Sequence, residues 1–140
     1  MNKNGPIVIL EDDLEDQEFL TQVLLELNQP NEVVFFRDAP AVYDYLSTNK
    51  IQPFIIISDI SLPGMSGLDL HEKIFHDPKL RAKGIPYLFM TTGNTHKMVE
   101  QAYGLSVQGF FRKPHSLMEW KNVMKKILDY WNVSISVEDY

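Results

Sequence analysis

Carboxylates, a lysine and a threonine hydroxyl stand at particular places in this chain, each just after a short apolar run. Glu11-Asp12-Asp13 follows Ile7-Val8-Ile9-Leu10, and Asp59 follows Phe54-Ile55-Ile56-Ile57 with Ser58 between them. Thr91 and Thr92 follow Tyr87-Leu88-Phe89-Met90, and Lys113 lies just beyond Gly109-Phe110-Phe111. Carboxylates gathered at one edge repel each other and raise one another's pKa unless a partner offsets the charge. A hard divalent cation such as Mg²⁺ is such a partner, because it takes oxygen ligands and commonly uses one or two carboxylates with waters and phosphate oxygens. Asp59 ends the most apolar run, which suits a nucleophile that accepts a phosphoryl group while the metal offsets charge on the transferred oxygens. Lys113 is a point charge that can pair with Asp59 or with a phosphoryl oxygen. Pro114 biases it toward extended backbone.

Each of these residues has an ordinary alternative when taken singly. Acids favour the first turn of a helix, and Glu15, Asp16 and Glu18 are read that way. Thr91 is also simply a β-branched strand residue, and an isolated Asp59 would pass for a turn-capping carboxylate. Arg37-Asp38, after the run Val33-Val34-Phe35-Phe36, is set aside because its strand is expected at the far edge of the sheet.

The elements that must hold these residues follow from the hydrophobic pattern. The five apolar runs are mostly β-branched or aromatic and do not alternate with polar residues, as expected of strands buried on both faces of a parallel sheet. Between them the spacing predicts helices over 14–27, 39–46, 66–75, 95–103 and 116–131, with Ser66 and Ser116 as N-caps. Strand and helix alternate five times, which implies a doubly wound α/β domain with right-handed crossovers and helices on both faces. In such a sheet ligands bind beyond the carboxyl ends of the strands, where the acids, Thr91 and Lys113 all fall. The domain is expected to span 1–131. A tail over 132–140 is either a small extra strand, in which Val133, Ile135 and Val137 alternate, or a loose end.

Composition bounds the function. The 140 residues carry 13 Lys and Arg against 19 Asp and Glu, a net charge of −6. That acidity argues against a nucleic-acid partner, because there is no basic surplus to neutralise phosphates. The absence of cysteine excludes a disulfide framework, a Cys-based zinc site and a Cys nucleophile. No apolar run approaches the ~20 residues of a membrane span. The N-terminus lacks a secretory pattern, so the expected location is the cytoplasm.

With Glu11-Asp12, Asp59, Thr91 and Lys113 in this order, the chain closely resembles the receiver domain of two-component response regulators. The segments that carry the resemblance are IVILEDD, IIISDISLPGMSGLDL, PYLFMTTGN and GFFRKP, and the likeness runs from about Ile7 to Trp131. It implies a five-stranded sheet in order 2-1-3-4-5, with Asp59 as phospho-acceptor. It implies that Glu11, Asp12, Asp59 and the Ser61 carbonyl serve Mg²⁺, that Thr91 and Lys113 contact the phosphoryl group, and that Phe110 is a switch aromatic. The implied phosphoryl donor is a sensor histidine kinase or a histidine phosphotransfer protein. The implied output is a shift of the face made by the fourth predicted helix, fifth strand and fifth predicted helix. That face includes His96, Val99, Glu100, Tyr103 and residues around Trp120, and it would meet a protein partner or a second copy.

Departures from the family pattern are Glu11 where Asp is also common, Ser66 where an acid is frequent, and Gly104, Ser106 and Val107 near the end of the fourth predicted helix. The longer Glu11 favours metal contact through water. With no output domain in view, the chain reads as a stand-alone switch and not an enzyme. A phosphorylation-independent interaction module of the same fold is the alternative. A haloacid-dehalogenase-type phosphohydrolase would need an acid where Ser61 stands. A flavodoxin-like carrier would want backbone donors and hydroxyls, not acids, after the first strand.

Overall fold

Five β-branched and aromatic runs become five parallel strands, each followed by a helix. The computed structural model describes residues 2–48, 50–92 and 96–135. The elements are β1 (Ile7–Leu10), α1 (Leu14–Glu26), β2 (Val33–Phe36), α2 (Ala39–Thr48), β3 (Ile55–Ser58), α3 (Gly67–Phe75), α4 (Pro78–Ala82), β4 (Tyr87–Thr91), α5 (His96–Gly104), β5 (Gly109–Arg112) and α6 (Leu117–Val133). The sheet order is β2-β1-β3-β4-β5 and every pairing is parallel, in agreement with the doubly wound expectation.

Burial follows from that order. The inner strands β1, β3 and β4 are buried throughout, whereas the edge strands β2 and β5 are largely half-buried. Successive side chains point to opposite faces, so each strand feeds two cores. Ile7, Ile9, Ile55, Ile57, Leu88 and Met90 pack on one face with Leu20, Val23 and Leu24 of α1 and Trp120, Met124, Ile127 and Leu128 of α6. Val8, Leu10, Ile56, Tyr87 and Phe89 pack on the other with residues of α2, α3, α4 and α5. In that second core the buried His71 sits 4.8 Å from the Tyr87 ring and 6.0 Å from Phe89, and Phe89 lies 5.8 Å from Phe110.

Three details depart from the sequence reading. The helix α4 was not expected; Asp77 caps it by accepting from the Lys79 and Leu80 amides, with Pro78 in its first turn. The fourth and fifth predicted helices are therefore α5 and α6. The last helix runs on to Val133, past the expected end at Trp131, so Val133 does not begin a strand. Residues 136–140 of the tail and Thr95, the expected start of α5, lie outside the described residues. Trp120 is core, 2% exposed, and does not contribute to an outer face.

The connection after β3 is tight. Gly64 adopts φ +75, the left-handed region that favours glycine. Ser66 caps α3 with a full capping box to Asp69. At Gly67 a Cβ would fall 2.0 Å from the Asp59 carbonyl oxygen and 2.7 Å from the Ser58 hydroxyl. Only a residue without a side chain lets α3 start this close to the end of β3. Gly67→Ala should lower the free energy of unfolding by about 1–3 kcal/mol, the usual cost of overpacking, read as a shifted urea midpoint. An unshifted midpoint would mean the β3 end yields freely.

Candidate functional site

The sheet ladder continues one residue beyond the strands at their carboxyl edge, and this fixes the backbone of the charged residues. The Glu11 amide donates to Phe36 O, the Asp59 amide to Leu10 O and the Lys113 amide to Thr91 O, each at 2.9 Å. Glu11, Asp59, Thr91 and Lys113 are thereby brought to one edge, and all four are buried, at 3%, 8%, 1% and 8% exposure. Asp12 is half-buried beside them.

Lys113 stands at the centre. Its Nζ lies 2.5 Å from Glu11 Oε1, 2.8 Å from Asp16 Oδ2 and 3.0 Å from Asp59 Oδ2. The remaining oxygens are held by backbone. Glu11 Oε2 accepts the Asp13 amide at 3.2 Å, and Asp59 Oδ1 accepts the Ser61 amide at 3.2 Å. The Ser58 hydroxyl donates to the Asp59 carbonyl at 2.8 Å, and the Tyr87 hydroxyl donates to Gly67 O at 3.1 Å. The Lys113–Pro114 bond is trans. Phe110 is half-buried on β5, against the second core.

One ammonium facing three carboxylates leaves negative charge in a desolvated place. Burial pushes the Glu11 carboxyl up to about 7, although hydrogen bonding and attraction from Lys113 pull the other way. Burial works against the Lys113 ammonium, but hydrogen bonds to Asp16, Glu11 and Asp59 outweigh it and hold its pKa well above the ordinary value. Glu11, Asp12 and Asp59 each offer one oxygen, and those atoms lie within 4.8 Å of one another. Such an all-oxygen set, with surplus negative charge, fits a hard divalent cation and no soft one.

Two residues set aside in the sequence reading reach this edge. Asp16, taken as helix-end charge, pairs with Lys113. The signal was available: Asp16 continues the buried stripe Leu20, Val23, Leu24 of α1 by one turn toward the N-terminus. Arg37, placed toward the far edge, donates to the Asp12 carbonyl at 3.4 Å. An edge strand is still the neighbour of β1, so its end lies next to the acidic pair.

Comparison with known proteins gives the class. Residues 7–125 match the family model described as the response regulator receiver domain, and the chain belongs to that family, the receivers of two-component signalling. It is 27% identical over 141 residues to response regulator Rcp1 of Synechocystis, covering 96% of this chain and 95% of Rcp1. The phosphorylated cyanobacterial phytochrome response regulator RcpA superposes with a TM-score of 0.84 at 25% identity, over 95% of this chain and 97% of RcpA. The Mn²⁺-bound form of Rcp1 superposes with a TM-score of 0.82 at 24% identity, over 94% and 97% of the two chains.

The raised Glu11 pKa predicts a pH signature. In chelator the folded state keeps a proton on Glu11 that the unfolded chain releases, so stability falls as pH rises from about 4.5 to about 7. His71 acts oppositely. Burial pushes it down to about 4, so its contribution is lost as pH falls from about 6.5. The difference between the parent and Glu11→Gln isolates the first effect. That difference should grow in favour of the Gln variant up to pH 7 and then level off, measured by urea unfolding at each pH. A difference independent of pH would show that Glu11 titrates alike in the folded and unfolded chain.

Proposed function

We propose that the chain is a phosphoryl-accepting signalling switch with Asp59 as the acceptor. The observation that carries this reading is a buried Asp59 carboxylate 3.0 Å from Lys113 and within one cluster of oxygens with Glu11 and Asp12. An Asp59 oxygen attacks the phosphorus of a phosphohistidine on a sensor histidine kinase or histidine phosphotransfer protein. The P–O bond forms as the P–N bond breaks, the imidazole leaves and an acyl phosphate remains. Glu11, Asp12, Asp59 and the Ser61 carbonyl would hold Mg²⁺, Glu11 through a water. The ion supplies charge compensation on the transferred oxygens. The Mn²⁺-bound Rcp1 and the phosphorylated RcpA support both halves of this reading by likeness.

Lys113 pairs with the phosphoryl group and Thr91 donates its hydroxyl to it. The group adds about −1.5 to −2 charges and three acceptor oxygens at Asp59. Drawing Thr91 inward vacates space beside β4, and Phe110 on the neighbouring strand turns toward it. The face of α5, β5 and α6 changes with it, and a protein partner or a second copy reads the change. No nucleic acid or membrane enters this scheme, no helix among the described residues is long and apolar enough to cross a membrane, and the cytoplasm is the proposed location. The role is that of a switch and not of an enzyme.

With Mg²⁺ and a small phosphodonor, intact-mass measurement should find one added phosphoryl group on the parent and none on Asp59→Asn. Unchanged labelling of that variant would move the acceptor elsewhere. Thr91→Ala should still be labelled, but should lose the phosphate-dependent amide shifts of residues 96–112 in NMR spectra. Shifts of parental size in that variant would break the route from Thr91 to Phe110.

A further inference from the structure

Lys113 divides its ammonium between two kinds of partner. Glu11 and Asp59 belong to the oxygen cluster that fits a divalent cation, whereas Asp16 does not. We propose that Asp16 is a positioning residue for Lys113, the anion to which the ammonium turns when a divalent cation takes up Glu11 and Asp59. This deepens the switch reading and rests on it.

The argument starts from competition. An ammonium 2.5 Å from Glu11 and 3.0 Å from Asp59 holds one oxygen of each of two carboxylates in the cation cluster, and two cations sharing those carboxylates repel. Lys113 must therefore loosen its hold as the ion enters. It cannot retreat without a partner, because its side chain is 7% exposed and an unpaired buried charge is costly. Asp16 meets the need. Its Oδ2 already lies 2.8 Å from Nζ, and its side chain is 20% exposed, at the outer rim of the cluster. The ammonium carries three protons for three acceptors, so the bond to Asp16 persists while the other two are exchanged.

Asp16 is also held in place from below. Asp13 caps α1 by accepting the Glu15 amide at 2.9 Å and the Asp16 amide at 3.3 Å. The Gln17 side chain donates to the Glu11 carbonyl at 2.7 Å, which binds the first turn of α1 to the end of β1. Asp16 is short, with few rotamers to lose, so a fixed first turn means a fixed carboxylate. The pair thus joins α1 to the loop after β5, on either side of the cluster.

Removing the Asp16 charge leaves Lys113 on Glu11 and Asp59, where it resists the ion. A plain loss of negative field would weaken cation binding too, and a double-mutant cycle separates the two causes. Mg²⁺ binding to the unphosphorylated chain is measured by calorimetry at pH 8, where Glu11 is ionised, for the parent, Asp16→Asn, Lys113→Gln and the double variant. Asp16→Asn should weaken binding roughly tenfold in the parent and less than about twofold in the Lys113→Gln background. Asp16→Glu should restore most of the loss. Melting of Asp16→Asn in chelator should be unchanged or higher, since it removes one of several like charges. Equal weakening in both backgrounds, or none in either, would overturn the proposal, as would a failure of Asp16→Glu to recover affinity. If Asp16→Asn fails to fold, Asp16→Ser enters the same cycle with the same expected result. A parent that binds no Mg²⁺ also overturns it, and a parent that binds Mg²⁺ but takes no phosphoryl group at Asp59 counts against the switch reading alone.

Discussion

A single buried ammonium is set among more carboxylates than it can neutralise, and much of the molecule is arranged around that imbalance. Lys113 meets Glu11, Asp16 and Asp59 at once, with Asp12 close by. Such a cluster takes up a proton, as Glu11 does below about pH 7, and tends to open to water. Here it is held closed. Backbone amides from Asp13 and Ser61 fix the far oxygens of Glu11 and Asp59, and the sheet ladder fixes three of the main-chain positions. The charge that remains is what a divalent cation can offset. Strain of this kind is tolerated in a stable fold when the surrounding structure over-determines the geometry.

That over-determination comes from two cores. Because β1, β3 and β4 are buried on both faces, their carboxyl ends cannot shift relative to each other without disturbing both layers. Gly67 then brings α3 against the end of β3, so the loop after Asp59 is pinned from the helix side as well. The acidic residues sit one step past rigid strands, which places them far more precisely than a free loop would.

The architecture was legible because its signal is carried by composition along whole segments. Runs such as Ile55-Ile56-Ile57 have no polar alternation, and that forces a two-faced burial and hence a parallel sheet. The placement of Asp59, Thr91 and Lys113 at one sheet edge was legible from their order after successive apolar runs, since each taken singly had an ordinary alternative. Asp16 and Arg37 were not, because their role depends on three-dimensional placement. Asp16 looks like helix-end charge until the buried stripe Leu20, Val23, Leu24 is extended backward by a turn. Arg37 looks remote until the neighbouring register of β1 and β2 sets Phe36 beside Leu10. The short α4 escaped notice because five residues are too few to carry a period, although Asp77-Pro78 marks its start. The end of α6 was set short because Val133, Ile135 and Val137 alternate as a strand would, whereas the helix runs on through an exposed Val133.

The same packing decides where a change of charge can be felt. On one face of the sheet α6 contributes Trp120, Met124, Ile127 and Leu128 to the core, and α1 adds Leu20, Val23 and Leu24. On the other face α5 buries only Ala102 fully, beside an edge strand β5 whose Phe110 is half-buried. Moving α1 or α6 would uncover several large side chains, whereas moving α5 against β5 uncovers little. On the proposed reading, a displacement that begins at Asp59 and Thr91 would meet the least resistance toward β5 and α5, because local stability is lowest where few apolar contacts are buried. Phe89, 5.8 Å from Phe110 and two residues before Thr91, lies on that path. Within that proposal, the unequal packing of the two faces would set the direction of the response, before the identity of what reads it enters.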